Sequence, residues 1–349
     1  MRARRLLLLA VLVPLLCGCD TLRYYSQAVG GQLTLLHRAA PIDEQLGREA
    51  VSPALKAKLE AVLRIREFAS RELALPDNGS YKRYADLGRP FALWNVFAAP
   101  EFSLEPVNSC FVFIGCVSYR GYFSEADAQA EAAVLRARGY DVHVGGVPAY
   151  STLGWFDDPV LNTFIHYPEA GLARLLFHEL AHQVLYVKND TLFNESFAAT
   201  VEQAGVARWL AQRGSDSDRA AYERLQRMRN DFLALIAKYR AALERLYQED
   251  LPAQEKREGK ARVLAEMQEE YRQLRASWGG FAGYDRWFAA KPNNATLVSV
   301  SLYTELVPAF RALLEREGGD LPRFYAAVKK LAKLPKEERE ARLRSALRN

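Results

Sequence analysis

The sequence predicts an α+β fold in which a β-rich N-terminal lobe is followed by a mostly helical C-terminal lobe. Between residues 91 and 147, segments rich in β-branched and aromatic residues flank a single helical segment. From residue 195 onward, nearly every segment has helical composition. We therefore expect strands and helices to occupy separate parts of the chain, as they do in α+β folds.

The N-terminal lobe is predicted to contain helices, strands and one helix between the strands. Residues 20–75 are predicted to be largely helical. Two segments, 91–97 and 111–119, have the composition of strands. Ser124 then begins a helix that has acidic residues in its first turn. Residues 142–147 are again β-like, so a strand is expected shortly before the helical lobe.

The helical lobe is predicted to contain a long hairpin. Residues 217–278 are rich in Arg, Glu, Lys, Ala and Leu, with a break at residues 250–252. A charged hairpin of this kind is usually a solvated scaffold, and a partner-binding surface is the alternative. A further helix is predicted to begin at Asn293. It carries Leu297, Val298, Tyr303 and Phe310.

The run from Phe177 to Gln183 contains two histidines four residues apart. On an α-helix such residues share a face, so the imidazoles of His178 and His182 can bind one tetrahedral metal ion. A catalytic zinc ion lowers the pKa of its bound water, and a neighbouring carboxylate can take the water's proton. The pattern predicts a zinc site with Glu179 as general base, although HExxH also occurs by chance in chains that bind no metal.

Two features favour a metal site over a chance match. The chain has only five histidines, and two of them have this spacing. The surrounding helix, about residues 169–187, is apolar nearly all round and is expected to be buried. Buried imidazoles and a buried carboxylate need partners, and a metal ion satisfies them more completely than scattered hydrogen bonds.

A third candidate ligand, Glu195, follows a polar turn at residues 188–191. This turn can fold a second helix, about residues 195–210, back against the first and bring Glu195 to the metal. The segment Asn194-Glu195-Ser196-Phe197-Ala198 resembles the gluzincin metallopeptidases, whose third ligand is a glutamate on a downstream helix.

The chain as a whole resembles a family of predicted bacterial aminopeptidase lipoproteins. The matching stretches are residues 24–29, 31–33, 94–100, 115–123 and 150–156. The resemblance implies a zincin-like metallopeptidase fold, one zinc ion as cofactor, a peptide substrate and aminopeptidase activity. The Gly-Ala-Met-Glu-Asn signature of the best-known aminopeptidases is absent. The residues themselves therefore leave aminopeptidase and endopeptidase activity open.

Residues outside the motif are candidates for two supporting roles. Gluzincins use a downstream tyrosine or histidine to stabilise the oxyanion, and Tyr303 is the main candidate, with His166 and Tyr167 as competitors. A core tyrosine is the alternative for Tyr303. Glu202 lies two helical turns beyond Glu195 and could accept the second ring N–H of a zinc-bound histidine. A surface glutamate is the alternative.

The amino terminus predicts a lipoprotein signal. Three arginines precede an apolar stretch at residues 6–16, which is long enough for a signal sequence and too short to cross a membrane. The following Leu16-Cys17-Gly18-Cys19 resembles a bacterial lipobox, with cleavage before Cys19 and a lipid on its thiol. An ordinary signal peptide with two incidental cysteines is the alternative. Asp20 resembles a signal for retention at the inner membrane.

We expect a signal peptide at residues 1–18 and one metallopeptidase domain at residues 19–349. Its helical and β-rich lobe would span residues 19–165, and residues 166–349 would form the helical lobe with the zinc motif. Loss of three arginines with the signal lowers the formal charge from +5 to +2. A nearly neutral surface gives no electrostatic case for binding nucleic acid.

Two cysteines, Cys110 and Cys116, would remain after lipidation. In an oxidising compartment they are predicted to close a small loop by a disulfide, and a pair of buried free thiols is the alternative.

The sequence thus predicts a lipid-anchored, periplasm-facing zinc peptidase whose partners are a peptide substrate and the membrane. The rival hypothesis is a non-catalytic envelope lipoprotein with a structural metal, in which the helical hairpin binds a partner. A structural zinc is closed by four protein ligands, and the sequence offers no convincing fourth.

Overall fold

The computed structural model describes residues 23–111, 115–301 and 305–348. Within these ranges the chain has an α+β fold, as predicted, with three small sheets among a larger number of helices. The predictions for Tyr303, Cys19 and the remainder of the N-terminal signal lie outside the described residues.

Helices form the beginning of the described chain, which confirms the helical prediction from residue 23 onward. Their bounds are 23–38 for α1, Ile42–Gly47 for α2 and Pro53–Leu73 for α3. The hydroxyl of Ser52 accepts a hydrogen bond from the N–H of Leu55 at 3.3 Å and caps α3. Pro53 at the first helical position suits this start because its missing N–H would have no partner there.

The strands are short, and one helix lies among them. They are β1 (Ala40–Pro41), β2 (Arg83–Ala85), β3 (Leu93–Ala99), β4 (Ser109–Phe111), β5 (Gly115–Val117), β6 (Arg120–Tyr122), β7 (Asp141–Val147) and β8 (Val160–Leu161), with α4 at Glu125–Ala137. Ser124 caps α4 as predicted, since its hydroxyl accepts the N–H of Asp127 at 3.2 Å.

The sheet with the order β6-β3-β7 is antiparallel, and its two faces have different neighbours. Trp94, Val96 and Ala98 of β3 pack with α4 residues in one core. Phe97 belongs to a second core that it shares with helices of the C-terminal half. Because alternate strand residues share a face, Leu93 and Asn95 lie on the same side as Phe97.

Helices make up the rest of the described chain. They are α5 (Glu169–Val184), α6 (Thr191–Arg213), α7 (Asp216–Gln248), α8 (Ala253–Ser277), α9 (Asp285–Ala289), α10 (Asn294–Ser301), α11 (Val307–Arg316), α12 (Leu321–Leu331) and α13 (Lys336–Ser345), followed by a 3₁₀ turn at Ala346–Arg348. The predicted hairpin is confirmed as α7 and α8. Tyr239 of α7 donates a hydrogen bond to Glu270 of α8 at 2.8 Å.

The prediction that one helix from Asn293 carries Phe310 was wrong. Phe310 lies on α11, which begins at Val307 after a turn at residues 305–306. Pro308 stands in the first turn of α11, where its missing N–H is tolerated, whereas inside a continuous helix the ring would break the hydrogen-bond ladder.

The largest core joins the first helices to the last ones. Phe68 of α3 contacts Phe177 of α5 and Trp209 of α6. The hydroxyl of Tyr325 in α12 donates to the carbonyl oxygen of Leu73 at 2.9 Å. Within the described ranges, no helix combines the length and the hydropathy that a membrane crossing requires.

Candidate metal centre

Helix α5 presents the two histidines of the motif on one face. Its apolar side chains are buried, and the helix ends at Val184, three residues earlier than predicted, because Leu185 is extended (φ −156°, ψ 132°). The rings of His178 and His182 have centroids 4.9 Å apart. The four-residue spacing therefore places both imidazoles side by side on one face of the helix.

The connection between α5 and α6 is fixed by two polar side chains. Asn194 forms a pair of hydrogen bonds with the backbone of Val187, each 2.8 Å long. The carboxylate of Asp190 accepts a hydrogen bond from the N–H of Phe193 at 3.2 Å and caps α6. Helix α6 consequently begins at Thr191, before the predicted start, and Glu195 lies within the helix.

Helices α5 and α6 approach each other closely at Gly205. A β-carbon at this position would lie 2.7 Å from ring atom Cδ2 of Phe177 and 2.7 Å from Cδ1 of Leu73. Such distances are shorter than van der Waals contact, so only glycine allows this approach. The close packing holds the side chains of α6 near those of α5.

Three candidate ligand atoms converge between the two helices. Nε2 of His178 lies 3.2 Å from Oε2 of Glu195, and Nε2 of His182 lies 3.6 Å from the same oxygen. The three atoms lie within 4.8 Å of one another, and no fourth His, Cys, Asp or Glu of the described residues joins the group. Two imidazoles and one carboxylate form a donor set known from catalytic zinc sites, so these residues fit a metal ion.

Glu202 lies behind His178. Its Oε2 is 3.0 Å from Nδ1 of His178, and the residue is only 2% exposed. Its Oε1 accepts hydrogen bonds from Arg174 and Arg229, both 3.2 Å long. This contact orients the ring of His178 and turns Nε2 towards Glu195. Nδ1 of His182, by contrast, is buried and has no hydrogen-bond partner among the described residues.

The charges of the centre favour a cation. Burial alone would raise the pKa of both glutamates, but His182 and His178 lower the pKa of Glu195 to about 2. Arg174 and His178 likewise lower the pKa of Glu202 to about 2 against the effect of burial. Although burial opposes its charged form, His178 has its pKa raised to about 10 by Glu195 and Glu202. A metal ion bound by deprotonated His178 would provide the positive charge that protonated His178 otherwise provides to the two glutamates.

Glu179 faces a cavity beside these ligands. Burial raises the pKa of its carboxyl group, and the opposing effects of His178 and His182 do not cancel the rise. In the part of the chain that the structure describes, no hydrogen bond or ion pair engages this carboxylate. Glu179 is therefore available to accept a proton in the cavity.

The cavity has a volume of about 520 Å³. Its wall also includes Leu93 and Asn95 of β3 and residues 147–151 and 153. Its aromatic lining residues are Tyr24, Phe111, Tyr119, Phe123, Tyr150 and Tyr186. The Oδ1 atom of Asn95 is buried without a hydrogen-bond partner among the described residues. A volume of this size is typical of cavities that bind small ligands.

A disulfide-linked hairpin forms part of the cavity. Cys110 of β4 and Cys116 of β5 are joined by a disulfide, and the adjacent Phe111 and Val117 line the cavity. The N–H of Cys116 donates to Oδ1 of Asn189 at 2.7 Å. Since Asn189 lies between α5 and α6, this bond attaches the hairpin to the helices of the metal centre.

None of the predicted oxyanion donors is found at this cavity among the described residues. Tyr303 lies outside them, and His166 and Tyr167 do not line the cavity at the metal centre. Tyr167 lines a neighbouring cavity instead. Tyr119 and Tyr186 do line the cavity at the metal centre, although no sequence pattern singled them out.

Arg174, Arg229 and Asn95 were also missed. Arg174 precedes His178 by one helical turn, so the same spacing argument that found His182 could have found it. Arg229 comes from α7, which has the composition of a solvated helix, and no local pattern distinguishes it from its neighbours. Asn95 interrupts an apolar strand, and a polar residue on a buried strand face is a usable signal.

A family described as "Putative aminopeptidase" matches residues 23–343, which is most of the chain. No curated protein and no solved structure matches the chain. The chain therefore belongs to the family so described, and the description indicates a peptidase.

Proposed function

We propose that this member of the family is a zinc-dependent peptidase with a zincin-like active site, in which His178, His182 and Glu195 hold the metal. The observation that carries the proposal is the convergence of two imidazole nitrogens and one carboxylate oxygen beside a cavity, with no fourth such ligand among the described residues. A structural zinc is closed by four protein ligands, whereas a catalytic zinc keeps a position for water. The ligand set thus supports an enzyme rather than a non-catalytic lipoprotein.

Glu179 is the proposed general base. Zinc at this centre would lower the pKa of a water molecule and polarise the scissile carbonyl group. The carboxylate of Glu179 accepts a proton from the attacking water and returns it to the leaving amine. Its raised pKa and its lack of a protein partner among the described residues suit both transfers.

Glu202 is the proposed positioning residue for His178. Its carboxylate accepts a hydrogen bond from Nδ1–H, so the ring keeps one orientation and one tautomer, with Nε2 available to the metal. Arg174 and Arg229 hold the other oxygen of Glu202 and prevent its rotation.

The substrate class proposed is a peptide, trimmed from its amino terminus. The family description supports the aminopeptidase assignment. The cavity supports a small substrate portion, because its volume of about 520 Å³ and its aromatic lining suit a few residues rather than a folded chain.

The location proposed is the cell envelope, with a lipid anchor on Cys19. The lipobox-like sequence at residues 16–19 supports this part of the proposal. Changing Cys19 to Ala is expected to stop lipidation, which would be seen as a lower mass after detergent extraction and as loss from the membrane fraction. Unchanged mass and fractionation would contradict the anchor.

The function is tested with the purified, zinc-loaded protein and a diverse peptide mixture. Mass spectrometry is expected to show products that lack one amino-terminal residue, and a chelator is expected to stop their formation. Internal cleavage would contradict the aminopeptidase assignment only. Absence of any cleavage by fully loaded protein would contradict the enzymatic proposal and favour a binding protein.

A further inference from the structure

Two arginines stand at one end of the cavity that holds the metal centre. Arg174 of α5 and Arg229 of α7 line this cavity, and both also line a neighbouring cavity on their other side. We propose that they form a subsite for a carboxylate group of the substrate. The inference rests on the proposed peptidase function and deepens it, because it names a chemical group that the substrate must carry.

The two guanidinium groups have more hydrogen-bond donors than protein acceptors. Each group has five N–H donors. In the described part of the chain, the side chain of Arg174 donates only through Nη1 to Glu202, and that of Arg229 likewise. Their side chains are 38% and 24% exposed, so the remaining donors are within reach of a ligand. A guanidinium group binds a carboxylate through two parallel hydrogen bonds, which makes carboxylate the matching ligand chemistry.

The charges at this end of the cavity are also unbalanced. Glu202 is the only carboxylate within 4 Å of either guanidinium group among the described residues, and its second oxygen is engaged by His178. One carboxylate therefore faces two permanent positive charges. A negatively charged ligand group would restore the balance, and a ligand group without charge would not.

The position of the arginines along α5 sets the distance from the chemistry. Arg174 precedes His178 by four residues, which corresponds to about 6 Å along a helix. Two residues of an extended peptide span about 7 Å. A carboxylate one or two residues away from the scissile bond could therefore reach the arginines. The free carboxyl terminus of a dipeptide or tripeptide meets this requirement, and so does an acidic side chain in a longer peptide.

The preference is measured with matched pairs of tripeptides. One pair differs in a free or amidated carboxyl terminus, and the second pair has an amidated terminus and differs in glutamate or glutamine. The native protein is expected to favour the charged member of at least one pair by about tenfold to a hundredfold in kcat/KM, as befits charge-assisted hydrogen bonds. The pair that shows the preference identifies the source of the carboxylate. Equal rates within both pairs would overturn the proposal.

The variant for this test is Arg229→Gln, because Arg229 lies on α7 and not on the helix of the metal ligands. This variant is expected to reduce the ratio of kcat/KM within a pair to near one. Arg229→Lys keeps the charge and is expected to restore the ratio in part. Arg213→Gln is the control, because Arg213 lines the neighbouring cavity only, and it should leave the ratio unchanged. If Arg229 acted only by supporting Glu202, both members of a pair would slow equally and the ratio would persist. That result would overturn the subsite.

Binding of the same peptides provides a readout that does not need turnover. Calorimetry with the zinc-loaded protein is expected to show tighter binding of the charged member, and Arg229→Gln is expected to remove the difference. Absence of hydrolysis together with this binding preference would reject the proposed function and keep the subsite. Hydrolysis without any preference for the charged peptide would keep the proposed function and reject the subsite.

Discussion

The proposed metal end and the arginine end of the cavity share α5 and α6 but differ in one further helix. The metal end consists of His178, His182 and Glu195, which come from two consecutive helices joined by a short connection. The arginine end needs α7 as well, because Arg229 reaches Glu202 from that helix. Glu202 links the two ends, since one of its oxygens faces His178 and the other faces the arginines. Residues that follow helical spacing leave a sequence pattern, and a residue in the middle of a third, charged helix does not.

The largest effect is expected at the metal end. Changing His182 to Ala removes one of three ligand atoms, so zinc should fall from about one ion per chain to background and peptide hydrolysis should cease. Metal analysis of the purified protein measures this loss. His37→Ala, at an exposed histidine of α1, is the control and should retain zinc. Equal zinc in His182→Ala and in the native protein would remove the basis for the metal centre.

A smaller effect is expected at the link between the two ends. Glu202→Gln keeps the shape of the side chain but weakens its hydrogen bond to His178, so zinc affinity should fall by about tenfold to a hundredfold. Competition with a chromogenic chelator gives the affinity. Glu101→Gln is the matched control because Glu101 also pairs with an arginine, Arg257, at an exposed position. An unchanged affinity in Glu202→Gln would mean that the contact does not position the ligand.

The difference between the two ends also explains what the sequence could predict. The two histidines, Glu195 and Glu202 follow from helical spacing and one turn, and these are local signals. Ser124 as the start of α4 is local too, and it was predicted correctly. Arg229 depends on how α7 packs against α5 and α6, and no local pattern of α7 indicates that contact. Tertiary packing decides such contacts, so single-residue patterns could not reveal them.

The smallest effect on the centre is expected from the disulfide, whose neighbours Phe111 and Val117 line the cavity and which supplies no ligand. Replacing Cys110 and Cys116 by Ser opens a loop with a sequence separation of 6 residues, and loss of that constraint should lower the free energy of unfolding by roughly 2 kcal/mol. Zinc content should stay the same. Denaturant unfolding and metal analysis measure the two quantities. Loss of zinc from the folded variant would show that the hairpin holds the metal helices in place.

We propose that this centre performs chemistry and does not only hold a metal. Glu179→Gln tests it most directly, because Glu179 faces the cavity and is not among the three converging ligands. The variant is expected to keep its zinc and its melting temperature while peptide hydrolysis falls by about a hundredfold to ten-thousandfold. Hydrolysis at the native rate by the zinc-loaded variant would show that Glu179 is not the general base.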